Sequence, residues 1–543
     1  MEYLLIVLAI FIFAAGLIRY WIAKDNKKRK ARLNASFGKV PPDGEFEAVS
    51  ISMYDFYKKD VTQGPRIDDI TWNDLEMDRV FSRVNACNSS AGEEYLYNRL
   101  RMPQFEAGAF EAREELIAFF DSHPDERLQA MTALAKLGKR NYNGLPGLIF
   151  GHDRKPLPYP HLYKILSILP FAGAALLFFS QTIGVMSIIL VFAINMTVYF
   201  LVRRRLNQKI PVVEYLRTLL ICCGRLCGIK SMQPHTAELN RLFSFFRPMI
   251  GKLPAFANPF AKEMEMLAIY PKILFLVDER RYNRAIKTLS KYNDEFIALY
   301  EALAEIDAAL SILSYRKSLP QYTIPEFSDT NAIEFDGMFH PLLDRPVTND
   351  GIITKNGLIT GSNASGKSTF IKALAVNGIL AQTINTCAAA RFKTRPSLVV
   401  TSMAMRDDIS GGESYFIVEV KSMKRILDYI GEYPCACYID EILRGTNTIE
   451  RIAASTAVLE YIHKKDCLCV AATHDIELTS ILADKYSNYH FSERISDDGI
   501  VFDYKLKDGP AATRNAIKLL GFMAFDREIV ERAEELTRGK TSY

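Results

Sequence analysis

The chain has 543 residues, 49% hydrophobic and 24% charged, with 67 Lys and Arg against 63 Asp and Glu. Such a length and composition predict three or four units that each bury a core, and exclude a disordered chain, a collagen-like repeat and a small disulfide scaffold. A formal net charge of +4 is close to neutral and demands no polyanionic partner.

The first predicted element is the apolar run from Tyr3 to Ile22. About twenty helical residues at 1.5 Å each span about 30 Å, the thickness of bilayer hydrocarbon. Only Glu2 precedes the run, whereas Lys24, Lys27, Lys28, Arg29, Lys30 and Arg32 follow it. That asymmetry predicts an uncleaved transmembrane anchor over residues 1–23, its N-terminus outside and the rest of the chain cytoplasmic. Residues 24–162 are charged and amphipathic, with helical patterns over Glu93 to Arg101 and Arg113 to Phe120. A second apolar run extends from Tyr163 to Val202, broken at Ser180-Gln181-Thr182. With Lys164 before it and Arg203-Arg204-Arg205 after it, residues 163–202 are expected to form a transmembrane helical hairpin with both ends cytoplasmic. The expected location is the inner or cytoplasmic membrane, multi-pass, with the lipid bilayer as a partner. This topology explains the basic clusters more economically than DNA binding does. Residues 203–329 again read as helical, as from Asn283 to Leu313.

The nine cysteines are an odd number without paired C-x-x-C knuckles, which argues against a disulfide framework and a structural zinc site. Cys435, Cys437, Cys467 and Cys469 lie in apolar runs and read as small core residues.

Over residues 330–543 short β-rich runs (Gly357 to Thr360, Ser397 to Ser402, Cys435 to Ile439, Cys467 to Ala472) alternate with helical stretches, which predicts an α/β domain. Within it Gly361-Ser362-Asn363-Ala364-Ser365-Gly366-Lys367-Ser368 fits G-x-x-x-x-G-K-[ST] between an apolar run and a helical pattern opening at Thr369. Glycines let the backbone curl so that successive N–H groups and a helix N-terminus face the phosphates of ATP. Lys367 is expected to bridge the β- and γ-phosphates and Ser368 to ligate Mg2+. Asp440 and Glu441 end a buried strand. The first can hold Mg2+ and the second can polarise the attacking water, the pairing that an ATPase needs. Upstream, Ser410, Gly411 and Gly412 suit capping a γ-phosphate. So far from the phosphate loop, they are expected to complete the site of another subunit, which makes a homodimer part of the mechanism. Downstream, His474 ends a strand with an imidazole able to donate to the same phosphate.

These motifs resemble the MutS mismatch-repair ATPases. Val347-Thr-Asn-Asp350 and Gly361 to Thr369 are similar to that family's P-N-D and G-P-N-x-G-G-K-S-T elements. Asp407-Asp408-Ile-Ser-Gly-Gly-Glu-Ser414 is similar to D-D-hydrophobic-x-S-G-R-S, and Asp440-Glu441-Ile-Leu-Arg444-Gly445-Thr446-Asn-Thr448 to D-E-x-x-R-G-T-S-T. Thr473-His474 with Glu477-Leu478 resembles T-H-x-x-E-L, and the stretch from Gly509 through Ile529 to Ala533 resembles the C-terminal dimerising segment. Asp69 to Pro103 and Arg113 to Phe120 resemble the start of the family's helical core domain.

The resemblance implies an ABC-type, MutS-like P-loop NTPase joined to a mostly α-helical core. Residues 24–162 would be core-like, 203–329 core- or lever-like, and 330–543 the ATPase domain. It also implies that Asn363, Lys367 and Ser368 bind nucleotide, that Asp440 and Glu441 handle metal and water, and that Ser410 to Gly412 act in trans. Two departures stand out. Glu413 replaces the family's arginine, and about 45 residues between the anchor and Asp69 leave no room for a mismatch-reading domain. Met53-Tyr-Asp-Phe56-Tyr57 reads as a packed aromatic turn rather than that domain's wedge. The expected function is therefore a membrane-anchored ATPase with ATP-dependent DNA binding related to mismatch repair or recombination. The alternative is an ATP-driven switch acting on a membrane or protein partner without DNA.

Overall fold

The structure is a computed structural model that describes residues 2–41, 54–56, 58–59, 64–106, 108–139, 145–151, 154–206, 210–252, 269–354, 356–362, 365–403, 415–496, 499–511, 523 and 525–539. In chain order its principal helices are α1 (Glu2–Ser36), α2 (Asp69–Asp74), α3 (Ser90–Leu100), α4 (Pro160–Leu176), α5 (Gln181–Leu206), α6 (Val277–Lys291), α7 (Asn293–Ser318), α8 (Lys367–Ile384), α9 (Tyr415–Ile430), α10 (Thr448–His463) and α11 (Arg527–Gly539). The chain forms two compact units, and they interleave in sequence. One comprises Met1–Gln63, Val84–Asn98 and Glu111–Lys317; the other comprises Gly64–Arg83, Arg99–Phe110 and Ser318–Tyr543.

The first unit is helical. Its central element is α7, which carries Asp294 and Glu295 in its first turn and Arg316 and Lys317 in its last, complementing the helix dipole. Leu299, Tyr300, Leu303, Leu310 and Leu313 are buried along it. Asp307, fully buried, accepts hydrogen bonds from the Asn88 and Ser89 amides at 3.0 and 2.8 Å and from Ser89 Oγ at 2.5 Å, just ahead of α3. Gly92 packs so closely on this carboxylate that a Cβ there would lie 2.5 Å from Asp307 Oδ2. Two arginine–carboxylate pairs, Arg113–Glu305 and Arg316–Glu114, also involve this helix, at 2.5 and 2.6 Å. Of the Met53 to Tyr57 stretch, Tyr54 is fully buried, donates to Glu301 Oε1 at 3.0 Å and stacks on Tyr300 with ring centroids 5.9 Å apart.

The two expected membrane regions lie in this unit. The run from Tyr3 to Ile22 falls within α1, where Lys24 Nζ sits 5.4 Å from the Trp21 ring centroid and 5.9 Å from that of Tyr20. The second run folds as the hairpin of α4 and α5, joined through residues 177–180. Gly184 permits the tight turn, since a Cβ there would meet the Leu177 backbone nitrogen at 2.7 Å. Asn195 Nδ2 donates to the Leu166 and Leu274 carbonyls at 3.2 and 2.7 Å. Phe178 and Phe179 at the tip are 92% and 89% exposed, and Ile168, Phe171, Met186, Ile189, Leu190 and Leu201 are exposed along the limbs. Among the described residues, one helical segment, Gln181–Arg204, is long and apolar enough to cross a membrane by length and composition. The expected first limb departs from the sequence reading: α4 has 17 residues, about 26 Å at 1.5 Å per residue, because the chain already turns at Leu177 rather than at Ser180.

The second unit is mixed α/β. Its strands are β1 (Glu326–Phe327), β2 (Ile333–Met338), β3 (Asn349–Ile353), β4 (Asn356–Thr360), β5 (Arg391–Thr394), β6 (Leu398–Ser402), β7 (Cys435–Asp440), β8 (Cys467–Ala472), β9 (Tyr486–His490), β10 (Glu493–Ser496), β11 (Gly499–Phe502) and β12 (Lys507–Asp508). A six-stranded sheet has the order β12-β9-β4-β8-β7-β6, parallel except for β12. A four-stranded sheet has the order β1-β5-β2-β3, and β10 and β11 form a separate hairpin. The four β-rich runs of the sequence are β4, β6, β7 and β8. β4, β7 and β8 are buried at every position, as strands of a parallel sheet covered on both faces are. The strand cysteines are buried free thiols, with Cys437 Sγ 3.2 Å from Cys467 Sγ.

Candidate nucleotide-binding site

The site forms at the carboxyl ends of β4, β8 and β7, which are neighbours in the sheet. In open parallel sheets this is where ligands bind. β4 runs into the loop at Gly361, whose φ of +138° belongs to the range that glycine favours, and where a Cβ would lie 2.6 Å from the Phe491 carbonyl. Gly366 (φ +99°) closes the loop and α8 begins at Lys367. Lys367 is buried, and its ammonium donates to the Gly361 and Ser362 carbonyls at 2.6 and 2.8 Å, bracing the loop from inside. Ser365 Oγ donates to the Ser362 carbonyl at 2.7 Å, and Ser362 Oγ to Glu493 Oε2 at 3.1 Å. Burial pushes the Lys367 ammonium down to about 8, opposed by the nearby Asp440 and Glu493 carboxylates and reinforced by Arg444. Ser368 follows in the first turn, half-buried, with Thr369 exposed beside it. Asn363 and Ala364 lie outside the described residues.

At the end of β7, Asp440 is buried and its Oδ1 has no hydrogen-bond partner. An orphaned carboxylate oxygen beside a phosphate loop is chemically suited to a hard cation such as Mg2+, which takes one or two protein oxygens together with phosphate. Among the described residues no cluster of three or more His, Cys, Asp or Glu side chains could hold a metal by itself. Glu441 follows with φ +59° and Leu443 with φ +55°, left-handed conformations that non-glycine residues hold only where surrounding structure enforces them. Here the Glu441 amide donates to the Ala472 carbonyl at 3.1 Å. The Glu441 carboxylate lies 2.7 Å from His474 Nε2 and pairs with Arg444. Burial, and then the positive Lys367 and Arg444, hold the His474 imidazole below its ordinary pKa. The next residue, Asp475, makes a bidentate pair with Arg451 of α10 at 2.6 and 2.8 Å, which fixes the turn after β8.

The structure thus brings together Gly361, Ser362, Ser365, Gly366, Lys367, Ser368, Asp440, Glu441 and His474. Ser410, Gly411 and Gly412 lie outside the described residues. Sequence reasoning missed Tyr504, which lines a cavity of about 470 Å3 with Asn349, Gly366, Thr369, Phe370 and Phe491. A Cβ on Gly366 would meet Tyr504 Cδ1 at 3.0 Å, so this ring stands directly on the phosphate loop. Asn349 holds it there: its Nδ2 donates to the Tyr504 carbonyl at 3.1 Å and its Oδ1 accepts from the Leu506 amide at 2.7 Å. No local pattern around Tyr504 announces this. The only available signal was Asn349, inside the stretch from Val347 to Asp350.

A family model described as MutS domain V matches residues 357–539. The chain is similar to the DNA mismatch repair protein MutS of Thermus thermophilus, 31% identical over 272 residues, or 48% of this chain and 33% of that protein. It is also 33% identical over 267 residues to the protein of that name from Pseudothermotoga lettingae, covering 47% of this chain and 33% of that protein. With Thermotoga maritima the identity is 30% over 294 residues, covering 52% and 36%. The chain therefore spans about a third of the length of the curated relatives it matches.

Proposed function

Through its carboxy-terminal domain the chain belongs to the MutS family, and on that premise we propose that it is a Mg2+-dependent ATPase that closes as a homodimer around ATP. The observation that carries this reading is the convergence of Lys367, Asp440, Glu441 and His474 at the ends of three adjacent parallel strands. The main chain of the phosphate loop and the N-terminus of α8 receive the phosphates. Lys367 exchanges its contacts with Gly361 and Ser362 for phosphate oxygens. Ser368 and Asp440 would hold Mg2+, whose charge, when bound, offsets that of the transferring phosphoryl group. Glu441 orients a water for attack on the γ-phosphorus and takes its proton as the bond to ADP breaks. His474 fixes the Glu441 carboxylate and can donate to the γ-phosphate. Ser410, Gly411 and Gly412 of a second copy cap that phosphate.

Two features support anchoring in the inner or cytoplasmic membrane with the ATPase domain cytoplasmic: the exposed apolar hairpin of α4 and α5, and the Lys24, Tyr20 and Trp21 cluster on α1. DNA as ligand comes from the relatives, which are named DNA mismatch repair proteins, and suggests ATP-dependent DNA binding related to mismatch repair or recombination. The exposed hairpin favours a second reading, in which closure acts on a membrane or protein partner without DNA. The deciding experiment measures ATP turnover of the detergent-purified chain with homoduplex, mismatched and branched DNA across a salt series. Stimulation that falls steeply with salt supports the DNA reading. Turnover indifferent to every DNA supports the second, and failure to bind Mg-nucleotide removes both.

A further inference from the structure

Within the first unit, α1 packs on the helix Pro124–Leu137, which in turn packs on the helix Ile210–Cys227. Arg29 Nη1 of α1 donates to the Ala135 carbonyl at 3.5 Å, and just past the end of α1 the Phe37 ring lies under the Arg127 guanidinium, 4.1 Å from its centroid. These contacts run forward along one helix and backward along the other, so the pair is antiparallel, and Lys136 comes to the level of Arg29 and Lys30. The helix Ile210–Cys227 adds Arg225 from its last turn. Burial, and then the positive charges of Arg225, Arg29 and Lys30, hold the Lys136 ammonium below its ordinary pKa, with Asp25 opposing them. Acids do not balance this cluster. Asp25 pairs with Arg29 at 3.0 Å, and among the described residues Lys30, Lys136 and Arg225 make no ion pair. The helix dipole favours a cation at the end of each helix, but it does not account for cations from positions 29, 136 and 225 meeting at one place.

The cluster has a defined depth. From Ile22, where the apolar run ends, to Arg29 is about 10 Å along α1, and the headgroup layer beyond the hydrocarbon is about 6 Å deep in each leaflet. Lysine and arginine side chains at that level, reaching back along their stems, meet lipid phosphates. The basic residues of α1 itself are what orientation of an anchor requires, whereas Lys136 and Arg225 flank no span and topology leaves them unexplained. We propose that Arg29, Lys30, Lys136 and Arg225 form a binding site for the phosphate of an anionic phospholipid in the cytoplasmic leaflet, its acyl chains lying along the apolar part of α1. This deepens the anchoring part of the proposed function and rests on it. Free phosphate and a DNA backbone share the phosphate chemistry; the closeness of the cations to the Tyr20, Trp21 and Lys24 boundary favours a lipid.

The test reconstitutes the full chain into vesicles mixing phosphatidylcholine with phosphatidylglycerol, one of the two lipids carrying brominated acyl chains. Quenching of Trp21, 55% exposed at the boundary, reports which lipid lies beside α1; the only other tryptophan, Trp72, is buried in the second unit and gives a constant background. The parent should prefer phosphatidylglycerol at low ionic strength, less so as salt rises. A cation near an anionic leaflet is worth about fivefold, so Lys136→Gln/Arg225→Gln should cut the preference at least ~10-fold. Lys136→Arg/Arg225→Lys should keep it, as should Lys464→Gln/Lys465→Gln, the same loss of charge at exposed positions elsewhere. If Lys136→Gln/Arg225→Gln retains the parent's preference, the charges of α1 act alone and the proposal is overturned. Displacement of the lipid by millimolar inorganic phosphate would overturn it in favour of a soluble phosphate, and displacement by homoduplex DNA in favour of a nucleic acid. Should the double variant melt below the parent, Arg225→Gln alone, at an exposed side chain, decides, with a loss of about fivefold expected. Pure phosphatidylcholine vesicles separate the two readings. A chain that stays in the aqueous phase removes the anchoring itself, whereas one that inserts and then shows no preference between lipids removes only this site.

Discussion

His474 Nε2 lies 2.7 Å from Glu441 Oε1, although the two residues end different strands and are 33 positions apart. The contact arises because β7 and β8 are paired in register with Asp440 opposite Ala472, so the residues that follow each strand emerge side by side. Glu441→Gln keeps the shape and can still hydrogen-bond His474, but cannot take a proton from water. It should bind ATP normally, lose at least a hundredfold in turnover and accumulate as a nucleotide-bound dimer in size-exclusion chromatography. Lys367→Ala should bind no nucleotide in the same assay. Equal turnover by Glu441→Gln and the parent would remove Glu441 from its role.

Nucleotide affinity should depend on alkaline pH through Lys367. Burial lowers this ammonium to about 8, so above that pH the free protein carries a neutral amine facing the site. Phosphate favours the charged form, and binding must then draw a proton from solvent. Affinity for Mg-ATP is expected to weaken by up to ~10-fold per pH unit above about pH 8. Calorimetry in buffers of different ionisation enthalpy should register uptake of a fraction of a proton near pH 8 and almost none near pH 6.5.

The helical unit has a titration of opposite consequence. Glu94 on α3 is buried against Tyr300, whose hydroxyl lies 2.5 Å away, and burial raises its carboxyl to about 8. Between about 4.5 and 8 the folded chain therefore holds a proton that the unfolded chain releases. Stability contributed by this group is complete at low pH and declines as pH rises through that window, by at most ~1.4 kcal/mol per unit. Glu94→Gln should flatten this part of the pH dependence in chemical denaturation of the helical unit, leaving the smaller contribution of Glu279, which burial raises to about 7.

The hairpin yields a topological expectation. Phe179→Cys at the exposed tip should react with a membrane-impermeant maleimide only from the side opposite the ATPase domain. Labelling from the ATPase side would contradict a hairpin that crosses the bilayer with both ends cytoplasmic.

The catalytic strands were legible in the sequence because a parallel strand buried on both faces reads as an unbroken apolar run, and each of β4, β7 and β8 ends in chemically distinctive residues. Helix α8 was legible from its periodicity and glycine-marked start, whereas the helical stretch read from Asn283 to Leu313 covers the end of α6 and most of α7 without the break between them at Tyr292. What escaped was long-range. Nothing near Asp74 points to Thr401, 327 residues away, and nothing near Tyr504 points to Gly366. A carboxylate that caps another segment's amides and an aromatic ring propped by a distant carboxamide have the same local signature as any surface Asp or core Tyr. The left-handed backbone at Glu441 was equally invisible, since it is imposed by the ladder to β8 and not by the residue itself.

The interleaving of the two units constrains how the molecule can be made. Residues 64–83 emerge from the ribosome long before β6 is synthesised, so the segment that covers the sheet edge must wait, unpaired, for over three hundred residues of translation. A fragment starting at Ser318 would contain every phosphate-binding residue and still leave the outer edge of β6 without the partners that residues 71–74 give the Thr401 amide and hydroxyl, ready to recruit a neighbour. Attempts to isolate the nucleotide-handling half should therefore splice residues 64–83 back onto it, or expect insoluble aggregates.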